Sequence, residues 1–402
     1  MSETKAGVHR LLSDLVQNGK GWILLSVGVG WFFSIGVRVA YPALLPFFQT
    51  SFGISLSVAS LLVTLLWAAY AIGQFPGGVL GDRFGEGNIL VASMLFSLVG
   101  VTAVAVANTV YVLAAGTIAF GFATALYGPT RYTIFTDIYS ERSGIAVGIT
   151  MAAGSIGNSV VPVAAALVAS YGSWRLGFSA LVPVFIILAV ALWFFVPSRT
   201  SSPMNDGDSV SLETVRQIVN SIRSGGIPTL VSVHTIAAFV SQGFLALYPT
   251  YLVSAKGLSP SVAAIIYSLY FAIGVVVQPL TGTVRDRFGP RITLMTVLGI
   301  YAVCLLLLPL ADGLLMISLL TIFLSSRNGA GVVTNTFIST ALPSEIKGSG
   351  LGLLRTVWIL IGATSPVIVG TLGDGGYLEE TFFGLGLLAA SATVLAVFIT
   401  DQ

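Results

Sequence analysis

Four arginines lie inside long apolar stretches of this sequence, where a charged side chain is costly. They are Arg38, Arg131, Arg327 and Arg355. No Asp or Glu lies near the middle of any predicted apolar segment to pair with them. A guanidinium binds a carboxylate or a phosphate through two parallel hydrogen bonds. The four arginines therefore predict a water-filled cavity that receives an anion.

Each arginine has a less specific interpretation. Arg131 and Arg355 lie near segment ends, where they could extend to lipid headgroups or pair with Asp137. Arg38 and Arg327 lie deeper, so the same interpretation is less favourable for them. Other polar residues could bind a substrate, but such residues also hold membrane helices together, and a histidine there is as consistent with packing as with proton transfer. The further substrate-binding candidates are Tyr41, Asn158, His234, Gln242, Tyr248 and Asn335.

The composition predicts a membrane protein with helical spans. Of the 402 residues 55% are hydrophobic and 8% are charged, and the mean hydropathy is +0.94. Apolar segments close to the ~20 residues that cross a bilayer recur along the chain. They cover residues 22–48, 56–81, 88–107, 110–136, 142–170, 174–196, 228–254, 259–284, 291–311, 313–340, 346–372 and 380–399.

The sequence is internally duplicated. The turn from Gly78 to Gly85 has a near copy from Gly282 to Gly289, and Pro162 and Pro366 are separated by the same offset. A repeat at constant offset indicates two copies of one unit. We predict a six-segment half over 1–196 including an N-terminal tail, a polar linker with an amphipathic helix over 197–226, and a second half over 227–402.

The distribution of basic residues predicts the orientation. Most of the 18 Lys and Arg fall in loops and tails on one side of the predicted spans, the side of both termini and the linker. By the positive-inside rule that side is cytoplasmic. We expect a multi-pass plasma-membrane protein in contact with the lipid bilayer, without a nucleic-acid partner.

Other classes of protein fit the sequence less well. An intramembrane enzyme needs a converging nucleophile, base or metal ligands, and the chain has two His and one Cys. We predict no enzyme activity, no cofactor and no metal site. The linker leaves no room for the soluble output domain of a receptor, and the repeat pattern argues against a channel.

The duplicated turn, with the pattern Gly-x-x-x-Asp-Arg-x-Gly between segments 2 and 3 of each half, resembles the major facilitator superfamily. The resemblance implies an all-α membrane fold of twelve transmembrane helices in two pseudo-symmetric six-helix bundles, functioning as a monomer by alternating access. It also implies a conformational latch on the cytoplasmic side. The latch residues would be Gly78, Asp82, Arg83, Gly85, Asp137, Glu141, Arg142, Gly282, Asp286, Arg287, Gly289 and Glu345.

The spacing of Arg38 before Pro46, and of Arg131 before Glu141-Arg142, is similar to that in the anion:cation symporter branch of the family. This resemblance implies symport of a small organic anion, a carboxylate or a phosphate ester, with H⁺ or Na⁺. Val37 stands where that branch has an acidic residue. The alternatives are a transporter of neutral sugars and an exporter of amphiphilic drugs.

Overall fold

The computed structural model describes residues 17–140, 142–200, 227–341 and 347–399. In these ranges the chain is helical and contains no strand. Eleven helical stretches there are long and apolar enough to cross a membrane. The predicted tail and linker helices, Glu141 and Glu345 lie outside the described residues.

The first half consists of six helices that agree with the six predicted segments. Polar side chains begin three of them: Ser55, Thr109 and Ser173 each accept a hydrogen bond from a backbone N–H in the following turn. The helices are α1 (Lys20–Phe52), α2 (Leu56–Phe84), α3 (Glu86–Ala105), α4 (Val110–Ile138), α5 (Ser143–Tyr171) and α6 (Trp174–Phe195).

The second half repeats this arrangement with two differences. Its helices are α7 (Ile227–Ser254), α8 (Pro260–Leu307), α9 (Leu314–Leu324), α10 (Arg327–Ala341), α11 (Lys347–Asp374) and α12 (Leu378–Ala396). We call the end of the molecule where residues 20, 195 and 227 lie the linker end. The opposite end, with residues 53–55 and 255–259, is the far end.

The first difference is α8, which extends over 48 residues without a connecting loop. At 1.5 Å per residue this is more than twice the length needed to cross a bilayer. Gly289 interrupts it with φ 80° and ψ 167° and is followed by Pro290. Gly85, at the equivalent position of the first half, has φ 94° and ψ 137° and separates α2 from α3. The helix thus contains both predicted segments, 259–284 and 291–311, and the eleven stretches accommodate twelve spans.

The second difference is a break inside the predicted segment 313–340. Helix α9 ends before Ser325, and α10 begins at Arg327. The Ser326 hydroxyl donates to the Val297 carbonyl (2.9 Å), and the Ser325 hydroxyl donates to the Ile322 carbonyl. Serine hydroxyls that bond to backbone carbonyls compete with regular helix geometry. The segment is therefore two helices, with Arg327 in the first turn of the second.

The two halves are joined closely at the far end. The Asp374 carboxylate accepts hydrogen bonds from the backbone N–H groups of Leu56 (2.7 Å) and Ser57 (2.9 Å). Gly370, one turn earlier in α11, lies so close to Ser60 that a Cβ on it would overlap the serine hydroxyl. A residue of α11 therefore caps the first turn of α2 in the other half.

Space is free beside two helical glycines near the linker end. A Cβ on Gly148 of α5 or on Gly352 of α11 would have no atom within 4 Å. A cavity of about 590 Å³ between α1 and α5 is lined by residues that include Trp22 and Ala153. This cavity lies in the first half, at its linker end.

Candidate functional site

Arg38, in the middle of α1, is fully buried. Its Nε donates to the Ser34 carbonyl one turn earlier at 3.1 Å. Its two terminal nitrogens, Nη1 and Nη2, have no hydrogen-bond partner in the described part of the chain. Its guanidinium carbon lies 3.7 Å from the ring centre of Tyr70 and 5.4 Å from that of Trp67, both on α2. Aromatic rings therefore surround the guanidinium while its outer edge is unpaired.

Arg131, on α4, is also buried but better satisfied. Its Nη1 donates to the Gly128 carbonyl at 2.8 Å, and its Nη2 donates to the Tyr132 hydroxyl at 2.8 Å. Its guanidinium carbon lies 3.5 Å from the ring centre of Trp31 and 4.2 Å from that of Tyr132. The side chain is thus held in one orientation by two bonds and two rings.

Trp31 brings the two arginines together. Arg38 lies 5.6 Å from the same Trp31 ring. Helical side chains lean toward the N-terminus of their own helix, and α1 and α4 run in opposite directions. Arg38 therefore leans toward the linker end and Arg131 toward the far end. Gly154 of α5 makes room for the indole, because a Cβ there would overlap Trp31.

The electrostatic balance of this pair is unfavourable without a ligand. Among the described residues, the two ion pairs are Lys256–Glu379 and Arg285–Asp286, so no carboxylate pairs with Arg38 or Arg131. A cation–π contact contributes ~0.5–2 kcal/mol, whereas removing a cation from water costs several kcal/mol even after relaxation. The rings alone do not offset that cost. The arrangement fits an anion as the missing partner.

The second half contributes Arg355 and Arg327 in different ways. Arg355 on α11 is exposed, and its positive charge acts on those of Arg38 and Arg131. The Arg327 Nε donates to the Ala237 carbonyl of α7 at 3.2 Å. The His234 ring of α7 packs against that of Trp358 with ring centres 4.3 Å apart and an interplanar angle of 56°. Arg355 thus faces the two arginines of the first half, while Arg327 is bonded within its own half.

The predicted tyrosines lie in the cores of the two halves. The Thr117 hydroxyl of α4 donates to the Tyr41 hydroxyl at 3.2 Å. The hydroxyls of Tyr248 on α7 and Thr321 on α9 form the equivalent contact of the second half. Both tyrosines are fully buried. The structure does not bring them to the arginines.

The remaining polar candidates are dispersed. Asn158 on α5 has a buried side-chain oxygen without a hydrogen-bond partner among the described residues. The Gln242 side chain packs beside Gly362 of α11. His234 forms a hydrogen bond of 3.0 Å with Thr334, and Asn335 is exposed on α10. Of these, none has a direct contact with Arg38 or Arg131 in the described part of the chain.

The sequence analysis did not identify the aromatic residues of the site. Trp31 precedes Arg38 by seven residues, a spacing that places both on one face of α1. Trp67 and Tyr70 are three residues apart on α2, with ring centres 5.6 Å apart. Helical spacing of aromatic residues near a buried arginine was the available signal. In apolar segments, however, the same spacing is the ordinary pattern of a packed core.

In the first half, the turn predicted as part of a latch is bound to the chain that follows α6. Arg199 donates from Nη1 to the Asp82 carbonyl (2.9 Å) and from Nη2 to the Arg83 carbonyl (2.6 Å). The Glu86 carboxylate accepts from the backbone N–H of Thr200 at 2.9 Å. A Cβ on Gly85 would overlap the Ser198 carbonyl. These contacts join the turn to the first residues of the predicted linker.

The other predicted latch residues have different surroundings. Asp286 is exposed and pairs with the adjacent Arg285 at 3.1 Å, and Arg287 is exposed beside Phe288. A Cβ on Gly282 would meet no atom within 4 Å, and one on Gly78 would reach only Pro129. The exposed Asp137 and the backbone N–H of Arg142, which donates to the Tyr139 carbonyl, complete the set.

Comparison with known proteins agrees with this architecture. The Major Facilitator Superfamily profile matches residues 27–332 and 230–402. The hexuronate transporter of Bacillus subtilis is 25% identical over 385 residues, which cover 89% of this chain and 88% of that protein. The cis,cis-muconate transport protein of Acinetobacter baylyi is 27% identical over 380 residues, with 88% of each chain covered.

A solved structure supports the fold independently. It is that of a bacterial homologue of the human lysosomal transporter Spinster, in an inward-facing and unoccupied conformation. The TM-score is 0.79 at 16% sequence identity, and the match covers 95% of this chain and 97% of that one. The chain belongs to the Major Facilitator Superfamily and is a membrane transporter, not an enzyme.

Proposed function

We propose that this protein is a secondary active transporter of a small organic anion, a carboxylate or a phosphate ester. The observation that carries the proposal is the buried Arg38 guanidinium, whose Nη1 and Nη2 have no hydrogen-bond partner among the described residues. The rings of Tyr70 and Trp67 lie within 5.4 Å of its guanidinium carbon, and the edge that carries the two nitrogens is buried and unpaired. A carboxylate or a phosphate accepts two parallel hydrogen bonds from such an edge.

The names of two relatives support an organic anion as the substrate. The hexuronate transporter and the cis,cis-muconate transport protein are named for organic anions. A neutral sugar would leave Arg38 and Arg131 without a compensating charge in a buried site. The charge of the site therefore favours an anion over the neutral-sugar alternative.

We further propose that transport proceeds by alternating access between the halves 1–196 and 227–402, with 197–226 as a cytoplasmic linker. Asp374 and Gly370 join the halves at the far end, whereas Gly148 and Gly352 face open space nearer the linker end. Rocking would break the first set of contacts and bring the two Asp-Arg turns together as a latch. We also propose that transport is coupled to H⁺ or Na⁺ and that the linker end faces the cytoplasm.

Uptake into liposomes containing the purified protein tests this function. The panel contains carboxylates, phosphate esters and neutral sugars, each with and without pH and sodium gradients. We expect saturable uptake of one or more anions, accelerated by one of the gradients, and no uptake of sugars. Uptake of a neutral sugar alone would contradict the proposal.

A further inference from the structure

The three arginines of the candidate site carry more positive charge than a single negative charge compensates. Arg38 and Arg131 lie in the first half and Arg355 faces them from the second. None of the three forms an ion pair with a carboxylate in the described ranges. A substrate with a single negative charge would leave two of these positive charges uncompensated.

Arg38 and Arg131 form one recognition point. Both guanidinium groups lie beside the Trp31 ring, with their carbons 5.6 Å (Arg38) and 3.5 Å (Arg131) from its centre. Arg131 already uses Nη1 and Nη2 for Gly128 and Tyr132. The free hydrogen-bond donors are therefore on Arg38, and Arg131 supplies charge beside them. Together they suit one anionic group.

Arg355 forms a second recognition point, nearer the linker end. Helices α2 and α11 pack antiparallel, with Leu56 at Asp374. Counted from this contact toward the linker end, Arg355 is five residues further along its helix than Tyr70 is along α2. At 1.5 Å per residue this places the Arg355 backbone roughly 7 Å nearer the linker end. Its side chain is exposed, and its charge acts on Arg38, Tyr70 and Arg131.

We propose that the substrate carries two separate anionic groups, one bound by Arg38 with Arg131 and the other by Arg355 on the opposite half. This inference rests on the proposed anion transport and specifies its substrate class. A ligand of this kind neutralises charge on both halves and links them. Arg355 is then the residue that selects a dianion over a monoanion, because only the second group reaches it.

Calorimetric binding to the full-length protein in detergent tests this inference. The ligands are straight-chain dicarboxylates of increasing length, each paired with its monoamide, which has the same shape and one charge less. We expect the best dicarboxylate to bind at least about tenfold more tightly than its monoamide. In Arg355→Gln this difference should disappear, because dicarboxylate affinity falls to that of the monoamide while monoamide affinity is unchanged.

The matched control is Arg285→Gln, which removes a positive charge near the linker end of the same half, where Arg285 pairs with Asp286. It should retain the preference for the dicarboxylate. An equal loss in both arginine variants would indicate a general charge effect and overturn the assignment of Arg355.

Two further outcomes separate this inference from the proposed function. If wild-type protein binds monoamide and dicarboxylate equally, and Arg38→Lys weakens both, the anion site is supported and the proposed second anionic group is overturned. A phosphate monoester could also bind tightly and with the same affinity in wild type and Arg355→Gln. That result would show that one dianionic group at Arg38 and Arg131 is sufficient, and it would overturn the second anionic group. If no anion binds, or Arg38→Lys has no effect on binding, both proposals are overturned.

Discussion

Trp31 is the residue on which the candidate site depends most after the arginines themselves. Its ring lies 3.5 Å from the Arg131 guanidinium carbon and 5.6 Å from that of Arg38. The Tyr127 ring stacks on the Trp31 ring, with ring centres 6.4 Å apart. The indole therefore both positions two cations and is itself positioned by the bundle core.

Trp31→Leu should weaken anion binding by about tenfold. Each cation–π contact contributes ~0.5–2 kcal/mol, and ~1.4 kcal/mol corresponds to a tenfold change in affinity. Calorimetric titration with the best-transported anion measures the effect. Trp193→Leu on α6 is the control, because Trp193 is exposed on the outer surface. Equal affinity in the Trp31 variant and the wild type, at equal thermal stability, would contradict this role.

At the residue scale the sequence predicted the charges of the site but not their surroundings. Arg38 and Arg131 were identified because a charge in an apolar segment is unusual, and the structure brings both to Trp31. Tyr41, three residues after Arg38, turned out to bond to Thr117 in the core. Residues three apart share roughly one side of a helix, and sequence spacing does not tell whether that side faces a cavity or a neighbouring helix.

At the scale of the helices, the contact between α2 and α11 joins the two halves. Asp374 accepts from the first two backbone N–H groups of α2 through both of its carboxylate oxygens. A carboxylate at a helix N-terminus is stabilised by the helix dipole as well as by these bonds. The contact lies at the far end only, so it stabilises the state that is closed there.

Asp374→Ala should shift the protein toward states that are open at the far end. Loss of a helix cap costs about 1 kcal/mol, which changes a population ratio roughly fivefold. Spin labels at the far end of each half, read by distance measurements, would report the shift. Asp312→Ala removes a charge in a far-end loop and should leave the distances unchanged. Identical distance distributions in wild type and Asp374→Ala would exclude a role for this contact.

The helices also show where the sequence pattern was insufficient. Segment 313–340 has continuous apolar character, so it predicted one helix, but Ser325 and Ser326 divide it. Their effect depends on partners such as the Val297 carbonyl, which is distant in sequence. Conversely, the turn at Gly289 was predicted from the repeat and separates two spans, although the helix assignment runs through it. A helix end was thus predictable from the sequence where the turn that forms it occurs in both halves.

At the scale of the whole molecule, the positive-inside rule gives a topology that can be checked directly. Single cysteines at Ser202 and Ser259, introduced into a Cys304→Ser background, should react with an impermeant maleimide from opposite sides of the membrane. The reason is that Ser259 lies at the far end, while Ser202 belongs to the predicted linker. Intact cells should label Ser259→Cys only, and inverted vesicles Ser202→Cys only. Labelling of both from one side would contradict the six-plus-six arrangement.

The overall architecture was predictable because it follows from composition and repetition. Apolar segments of bilayer length and a duplicated turn led to two six-helix bundles, and the family match confirms the fold. Which end of the molecule joins the two halves was not predictable. It depends on the balance between contacts such as those of Asp374 and Gly370 at one end and the Asp-Arg turns at the other, which no local pattern expresses.

The most direct test of the central claim is anion binding to Arg38→Lys. Lysine retains the positive charge but lacks the planar pair of donors with which arginine binds both oxygens of a carboxylate. We expect the variant to lose about 1–3 kcal/mol of binding free energy, as for one charge-assisted hydrogen bond, with its thermal stability close to that of wild type. Binding of the transported anion to wild type and variant is measured by calorimetry under identical conditions, with a neutral sugar as the second ligand. Unchanged affinity for the anion, or wild-type binding of the sugar that is unaffected by the substitution, would contradict the account.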